Sequence, residues 1–375
     1  MGIPFIDLAA QQARIRTKID VAITSVLDSG AYVMGPQVKK FETELAAFCG
    51  AKHALGCANG TDAIELALMA IGAGVGDAVF VPSFTFAATA EVVPGTGATP
   101  YFVDIDADTY NMDVASLKRC IAAAKDDGLR PKAVIPVDLF GLPADIHAIQ
   151  AVADEAGLIV ICDSAQGFGG KINGRMTGTF GAITTTSFFP AKPLGCYGDG
   201  GAILTDDDEL AALIDSYRIH GKGDDKYDNI RIGMNSRLDS LQAAILSVKL
   251  EIYADEIIAR DRVAARYNEL LANHVGVPSV PAGYESIWAQ YTVRLKDRAA
   301  RGKAQADLSA QGIPTAIYYP NPLHVQTAYN MFPSDPTGMP GTDDAAERVV
   351  SLPMHPYLDE ATQDRIVTAL IASVA

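Results

Sequence analysis

From residue 53 to about residue 205 the chain alternates short, continuous apolar runs with helical stretches, and this alternation limits the fold more than any other feature. "HALGCAN", "DAVFVPS", "TPYFVDI", "KAVIPVDLF", "LIVICDS", "AITTTSF" and "GGAIL" read as strands. "GTDAIELALMAIG" and "DIHAIQAVADEAG" read as helices. Strands that are apolar along their whole length must be covered on both faces, as in a mainly parallel sheet between helical layers. The expected class is therefore α/β. Ligands of such sheets bind at the carboxyl ends of the strands, which is where Asn59, Ser83, Asp163 and Ser187 fall. Near residue 236 the pattern becomes one long helical segment ending in "LLANH", followed by a smaller α/β unit. In that unit "WAQYTVRL" and "PTAIYYP" read as strands, and "RGKAQADLSAQG" and "DEATQDRIVTALIASV" as helices. This predicts a large domain over residues 1–249 and a small one over 250–375. "NPLHVQTAYNMFPSDPTGMPGTDDA", rich in Pro, Gly and Asp, reads as an exposed loop.

Charge and composition exclude several functions. The net charge is −15 and no basic run occurs, so nucleic acid is not an expected partner. The five cysteines are scattered, mostly in apolar runs, which suits reduced, buried thiols in a cytoplasmic protein. The N-terminus has no signal-peptide pattern, and no apolar stretch of about 18 residues predicts a membrane span. The six histidines are dispersed without metal-ligand spacing, so no metal is expected. "GAGVG" follows a helix rather than a strand, a poor context for a dinucleotide fingerprint.

Lys192 stands between Pro190 and Pro193, directly before a run of glycines. The prolines fix φ and the glycines allow close approach; a plain turn with a solvated lysine is the competing reading. Three other stretches converge with it. "NGTDAIELAL" places Gly60, Thr61 and Asp62 at a helix start, whose free N–H groups suit a phosphate, although Thr61 or Asp62 also serves as a simple N-cap. Asp163 ends a strand, where its carboxylate could hold a protonated ring nitrogen, and Gln166 could hydrogen-bond a neighbouring ring oxygen; the alternative is that Asp163 caps the next segment. Ser187 ends the strand before Lys192 and could reach the same phosphate as Thr61. An amine, a carboxylate, an amide and two hydroxyls are together the requirements of pyridoxal 5′-phosphate (PLP). Phe86 is the candidate to stack on its ring, with Phe84 as the alternate, because strand alternation leaves open which of them faces the site.

These motifs, with "PSFTFAATA", "DSAQGFGG", "SFFPAKPLGCYGDGGA", "GMNSRLDSLQAA" and "PLHVQ", resemble the DegT/DnrJ/EryC1/StrS sugar aminotransferases of PLP fold type I, from "IPFIDL" to "LPMHPYLDEATQDRI". The resemblance implies that Lys192 carries PLP, that Asp163 and Gln166 engage its ring nitrogen and oxygen, and that Thr61, the Asp62 N–H and Ser187 hold its phosphate. It implies that Asn235 reaches the phosphate from the second subunit of a homodimer. Relatives that remove a hydroxyl carry histidine at the lysine position, so Lys192 points to transamination. The implied donor is glutamate and the acceptor a nucleotide-linked keto-sugar. The motifs look most like enzymes aminating C3 of UDP-linked 2-acetamido-3-keto-glucuronic acid for surface-polysaccharide (O-antigen) synthesis. C4 amination of a 4-keto-6-deoxy sugar is the alternative. Arg237 is the candidate for the sugar carboxylate, with a local pair to Asp239 as the competing reading, and Tyr318, Tyr319 and His324 are further substrate candidates. A PLP enzyme acting on amino acids and a catalytically silent regulatory relative remain open.

Overall fold

A computed structural model describes residues 2–225 and 227–375. The described residues form a seven-stranded sheet in the order His53–Cys57, Gly201–Thr205, Ile183–Ser187, Ile159–Asp163, Arg130–Val134, Asp77–Pro82, Thr99–Val103. Gly201–Thr205 is antiparallel to both neighbours, and the pairings from Ile183–Ser187 to Thr99–Val103 are parallel. The continuous apolar runs have a physical reason. Along Asp77–Pro82 every residue is buried, with Val79 and Val81 in one core and Ala78 and Phe80 in the other, as the period of two requires. Helix Gly60–Ala70 covers the first face with Ile64, Leu66 and Leu68. Helices Val114–Asp126 and Ile146–Ala156 cover the second with Leu117, Ile121, Ile149 and Val152. Each such side chain contributes ~1.5–3 kcal/mol of burial.

Helices Leu8–Ser29 and Pro36–Cys49 precede the sheet. Asp7 caps the first, its carboxylate accepting from the Ala10 N–H at 2.9 Å, and Gly30 ends it at φ 64°. Ile15 and Ile19 pack on Ile245 and Val248 of helix Ser240–Leu271. That helix runs unbroken through residues 249 and 250, where the domain border was expected. Its first half packs against the large sheet's layer through Leu246 and Tyr253, and its second half enters the C-terminal core through Val263, Tyr267 and Leu271.

The C-terminal unit pairs strand Tyr291–Arg294 with Val349–Leu352, beside helices Arg298–Ala310 and Glu360–Val374. Two expectations change here. "PTAIYYP" is not a strand; it touches the free edge of Val349–Leu352 through a single bridge, Ala316 to Ser351. Nor is the Pro-rich segment a free loop. The Phe102 N–H donates to the Pro333 carbonyl at 2.9 Å and the Asp335 N–H to the Phe102 carbonyl at 3.0 Å, so the segment extends the edge of the large sheet. Asp335 is buried there. Burial opposes its charge, but the Arg119 guanidinium at 2.6 Å and the Ser116 and Thr337 hydroxyls outweigh it and hold the carboxyl down to about 2.

Where the N-terminal segment meets this unit, His355 is buried, and neither ring nitrogen has a hydrogen-bond partner among the described residues. Burial pushes its pKa down to about 4; Asp7 and Asp359 oppose the shift and Arg260 reinforces it. The folded state therefore binds this proton later than the unfolded chain does. Stability should be intact above about pH 6.5 and fall as pH drops toward 4, by roughly 3 kcal/mol from this group. Urea unfolding of His355→Leu should show that acid-side loss reduced by this amount, with little change at pH 8. An identical pH profile in both proteins would remove His355 as its source.

Candidate active site

The carboxyl ends of the central strands gather the predicted groups. Asp163 and Ser187 end adjacent parallel strands. Gly201 lies opposite both Ser187 and Cys57, and a Cβ there would come 2.4 Å from the Asn59 carbonyl oxygen and 2.9 Å from Gly60 N. A Cβ on Gly60 would lie 2.6 Å from that of Ser187. Two glycines thus press the start of helix Gly60–Ala70 against the end of the Ser187 strand. The Ser187 hydroxyl and the helix N-terminus meet at one point, where an anion is favoured by free N–H groups and the helix dipole. Asn59 is the N-cap, its side-chain oxygen accepting from the Asp62 N–H at 2.8 Å. The Asp62 N–H, expected to face a phosphate, is therefore held by the cap, and among the described residues the first-turn donors without a partner are the Gly60 and Thr61 N–H groups and the Thr61 hydroxyl.

Asp163 is buried, and each of its oxygens is held. The Ala165 N–H donates to Oδ1 at 3.1 Å and the Thr89 hydroxyl to Oδ2 at 2.9 Å. Thr89 is in turn 3.3 Å from the Thr85 hydroxyl. Burial raises the Asp163 pKa; the Ala165 N–H, Thr89 and the charge of Lys192 pull it back. Burial likewise lowers the Lys192 pKa, and the charge of Asp163 opposes that. The amine and the carboxylate are therefore electrostatic neighbours, each in a setting that disfavours an isolated charge. Thr89 escaped the sequence reading. Its signal was a polar residue inside the apolar helix Ala88–Gly95, where an unpaired hydroxyl would be costly.

Gln166 is buried with its amide locked. Its Oε1 accepts from the Phe140 N–H at 2.9 Å, and Nε2 donates to the Tyr319 hydroxyl at 3.2 Å. The amide's orientation is thereby fixed, and Nε2 keeps a second N–H that could serve a ring oxygen. Phe84 is buried between Phe140 and Tyr319, whereas Phe86 is 56% exposed with its ring 6.4 Å from that of Tyr319. Phe86 is thus the ring left open for stacking. Tyr318 is partly buried and packs edge-on to Tyr319. His324 arrives from the Pro-rich segment, its Nδ1 2.7 Å from the Ser83 hydroxyl, and burial lowers its pKa. Asn235 and Arg237 flank Ser236 on the loop before the long helix; the Ala58 N–H, beside the Asn59 cap, donates to the Ser236 hydroxyl at 3.1 Å, and Asn235 is exposed and Arg237 half-buried. Among the described residues no carboxylate pairs with Arg237, Asp239 included.

An anion cradle, a buried carboxylate beside a lysine, an oriented amide donor and an open aromatic ring fit PLP group by group. Fold and site together define a PLP-dependent aminotransferase of fold type I. The DegT/DnrJ/EryC1/StrS aminotransferase family model matches residues 13–371, and the chain belongs to that family. It is 49% identical over 98% of its length, and 99% of the relative's, to the UDP-2-acetamido-2-deoxy-3-oxo-D-glucuronate aminotransferase of Pseudomonas aeruginosa. It is 42% identical to a pleiotropic regulatory protein of Geobacillus stearothermophilus and 43% identical to the UDP-N-acetyl-3-dehydro-alpha-D-glucosamine 3-aminotransferase of Acidithiobacillus ferrooxidans, in each case over 98% of this chain and 97% of the relative. Among solved structures, a DegT/DnrJ/EryC1/StrS aminotransferase from Brucella abortus superposes with a TM-score of 0.97 at 53% identity, covering 100% of both chains. The structure of ntda from Bacillus subtilis, with bound cofactor PMP, has a TM-score of 0.88 at 28% identity and covers 100% of this chain and 85% of its own. PLP is the cofactor of the family.

Proposed function

We propose that the protein transfers the amino group of glutamate to C3 of UDP-linked 2-acetamido-3-keto-glucuronic acid, in the cytoplasm, for surface-polysaccharide synthesis. The observation that carries the chemistry is the buried carboxylate of Asp163 at its strand end, within electrostatic reach of Lys192. PLP, when bound, supplies the electron sink. Asp163 holds the ring nitrogen's proton, Gln166 donates to the ring oxygen, and Ser187, Thr61 and the helix start hold the phosphate. Lys192 Nζ takes the proton from glutamate Cα in the first half-reaction and delivers one to sugar C3 in the second. Burial, which lowers its pKa, makes it a readier base. The name of the Pseudomonas aeruginosa relative supports the sugar. Glutamate as donor rests on the family resemblance alone. The presence of both Lys192 and the buried carboxylate of Asp163 favours catalysis over a purely regulatory role.

Arg237 supports a uronate. A guanidinium without a carboxylate partner among the described residues of its own chain can take one bidentately. Arg237→Ala should lower kcat/KM for the keto-uronate by roughly 10²-fold, the ~2–3 kcal/mol of a charged hydrogen-bonded pair. Single-turnover kinetics should find the glutamate half-reaction nearly unchanged. An equal loss in both halves would move Arg237 to a structural role.

The site is read as shared between two subunits. Asn235 is exposed, and Tyr32, Val33 and Phe189 are large apolar residues about half exposed, a surface that a second copy of the chain would cover. Mixing inactive Lys192→Ala with inactive Asn235→Ala chains should restore activity in heterodimers to about a quarter of wild type or less. Verified subunit exchange with no return of activity would contradict shared sites.

A further inference from the structure

Lys249 has no part in the chemistry above, yet it is a lysine only 2% exposed. It belongs to the long helix Ser240–Leu271. Its ammonium donates to the Gly195 carbonyl at 2.6 Å and lies 4.4 Å from the centre of the Tyr197 ring. Two turns earlier on the same face of the helix, the Gln242 Oε1 accepts from the Tyr197 N–H at 2.8 Å. The segment these two side chains grip is the one that carries Lys192. Its own bonds are local: the Lys192 N–H to the Phe189 carbonyl and the Cys196 N–H to the Phe188 carbonyl, each 2.8 Å. Gly195 is packed so closely that a Cβ there would lie 2.5 Å from the Pro190 carbonyl oxygen. A shift of the Gly195 carbonyl therefore moves the Pro190–Gly195 turn, with Lys192 in it.

We propose that Lys249 is a positioning residue that fixes the turn presenting Lys192 to the cofactor. The inference rests on the reading of Lys192 as the cofactor-bearing lysine. Stability alone does not account for a lysine here. Burial pushes its pKa down to about 8, with Cys196 and Glu256 on neighbouring positions pulling it back. A base with a lowered folded pKa costs stability at every pH below that value. A methionine would fill the same space without a buried charge. What methionine lacks is a donor for the Gly195 carbonyl.

The test compares wild type, Lys249→Met and Gln242→Leu as PLP-loaded holoenzymes at pH 7. Three quantities are read: thermal midpoint, rate of the glutamate half-reaction, and the pH at which the bound cofactor's absorbance changes. Lys249→Met should keep or raise the midpoint, slow the half-reaction at least tenfold and displace the absorbance transition. Gln242→Leu should slow the reaction in the same direction. An unchanged rate and unchanged absorbance in Lys249→Met would overturn the proposal. So would a midpoint that falls by ten degrees or more together with the rate, since that marks a purely structural lysine. Borohydride fixation of the cofactor in wild type on a lysine other than Lys192 would instead overturn the reading beneath it.

Discussion

Replacing Lys192 with alanine is expected to abolish transamination, with a fall in turnover on the order of 10⁴ or more. Proton transfer by a positioned side chain alone is worth about 10²–10⁴-fold, and this lysine also anchors the cofactor covalently. The local structure makes substitution by another lysine implausible. Lys249, the fully buried lysine nearest in the chain to this turn, is held by the Gly195 carbonyl and the Tyr197 ring and belongs to a different element. Borohydride treatment of wild type should fix the cofactor on the peptide containing Lys192. The alanine variant should show no fixed cofactor and should lose the absorbance band of the covalent form. Lys192 is only partly buried and belongs to none of the apolar cores, so the fold should survive its replacement by alanine, as circular dichroism would verify.

The second large effect is expected at Asp163. Asp163→Asn keeps the shape and the two local donors, Ala165 N–H and the Thr89 hydroxyl, but removes the charge facing Lys192 and the ring nitrogen. Leaving the protonated ring nitrogen without its buried carboxylate would cost about 3–5 kcal/mol. That corresponds to a loss on the order of 10³ in kcat/KM, accompanied by weaker PLP binding. Two measurements check it: cofactor affinity of the stripped protein and steady-state rate. Unchanged affinity and rate in Asp163→Asn would show that the carboxylate only caps the following turn, the alternative that its position after a strand had left open.

Much of this site is visible in one dimension because its groups sit at strand ends, and the strands of a buried sheet are the plainest pattern in the chain. Asp163, Ser187 and Gly60–Thr61 come together by register and by two close glycine contacts. The parts that were not legible depend on contacts distant in sequence. The Asp62 N–H is taken by Asn59, because an asparagine before a helix caps it more readily than it leaves the donor open. The locking of Gln166 needs the Phe140 N–H and the Tyr319 hydroxyl, from two other regions. The choice between Phe84 and Phe86 needs the aromatic cluster that buries Phe84. The Pro-rich segment carries turn residues, yet Asp335 fastens it to Arg119, 216 residues earlier. The N-terminal helices carry their own end signals in the sequence, Asp7 as an N-cap and Gly30 and Gly50 as left-handed C-caps.

The most direct measurement generates UDP-2-acetamido-3-keto-glucuronic acid in situ and follows its amination by the PLP-loaded enzyme with glutamate as the sole donor. The account predicts a 3-amino product, assigned at C3 by NMR, and one equivalent of 2-oxoglutarate per sugar. Efficient amination of a nucleotide-linked 4-keto-6-deoxy sugar, with none of the 3-keto-uronate, would contradict it and place the enzyme in the C4 branch.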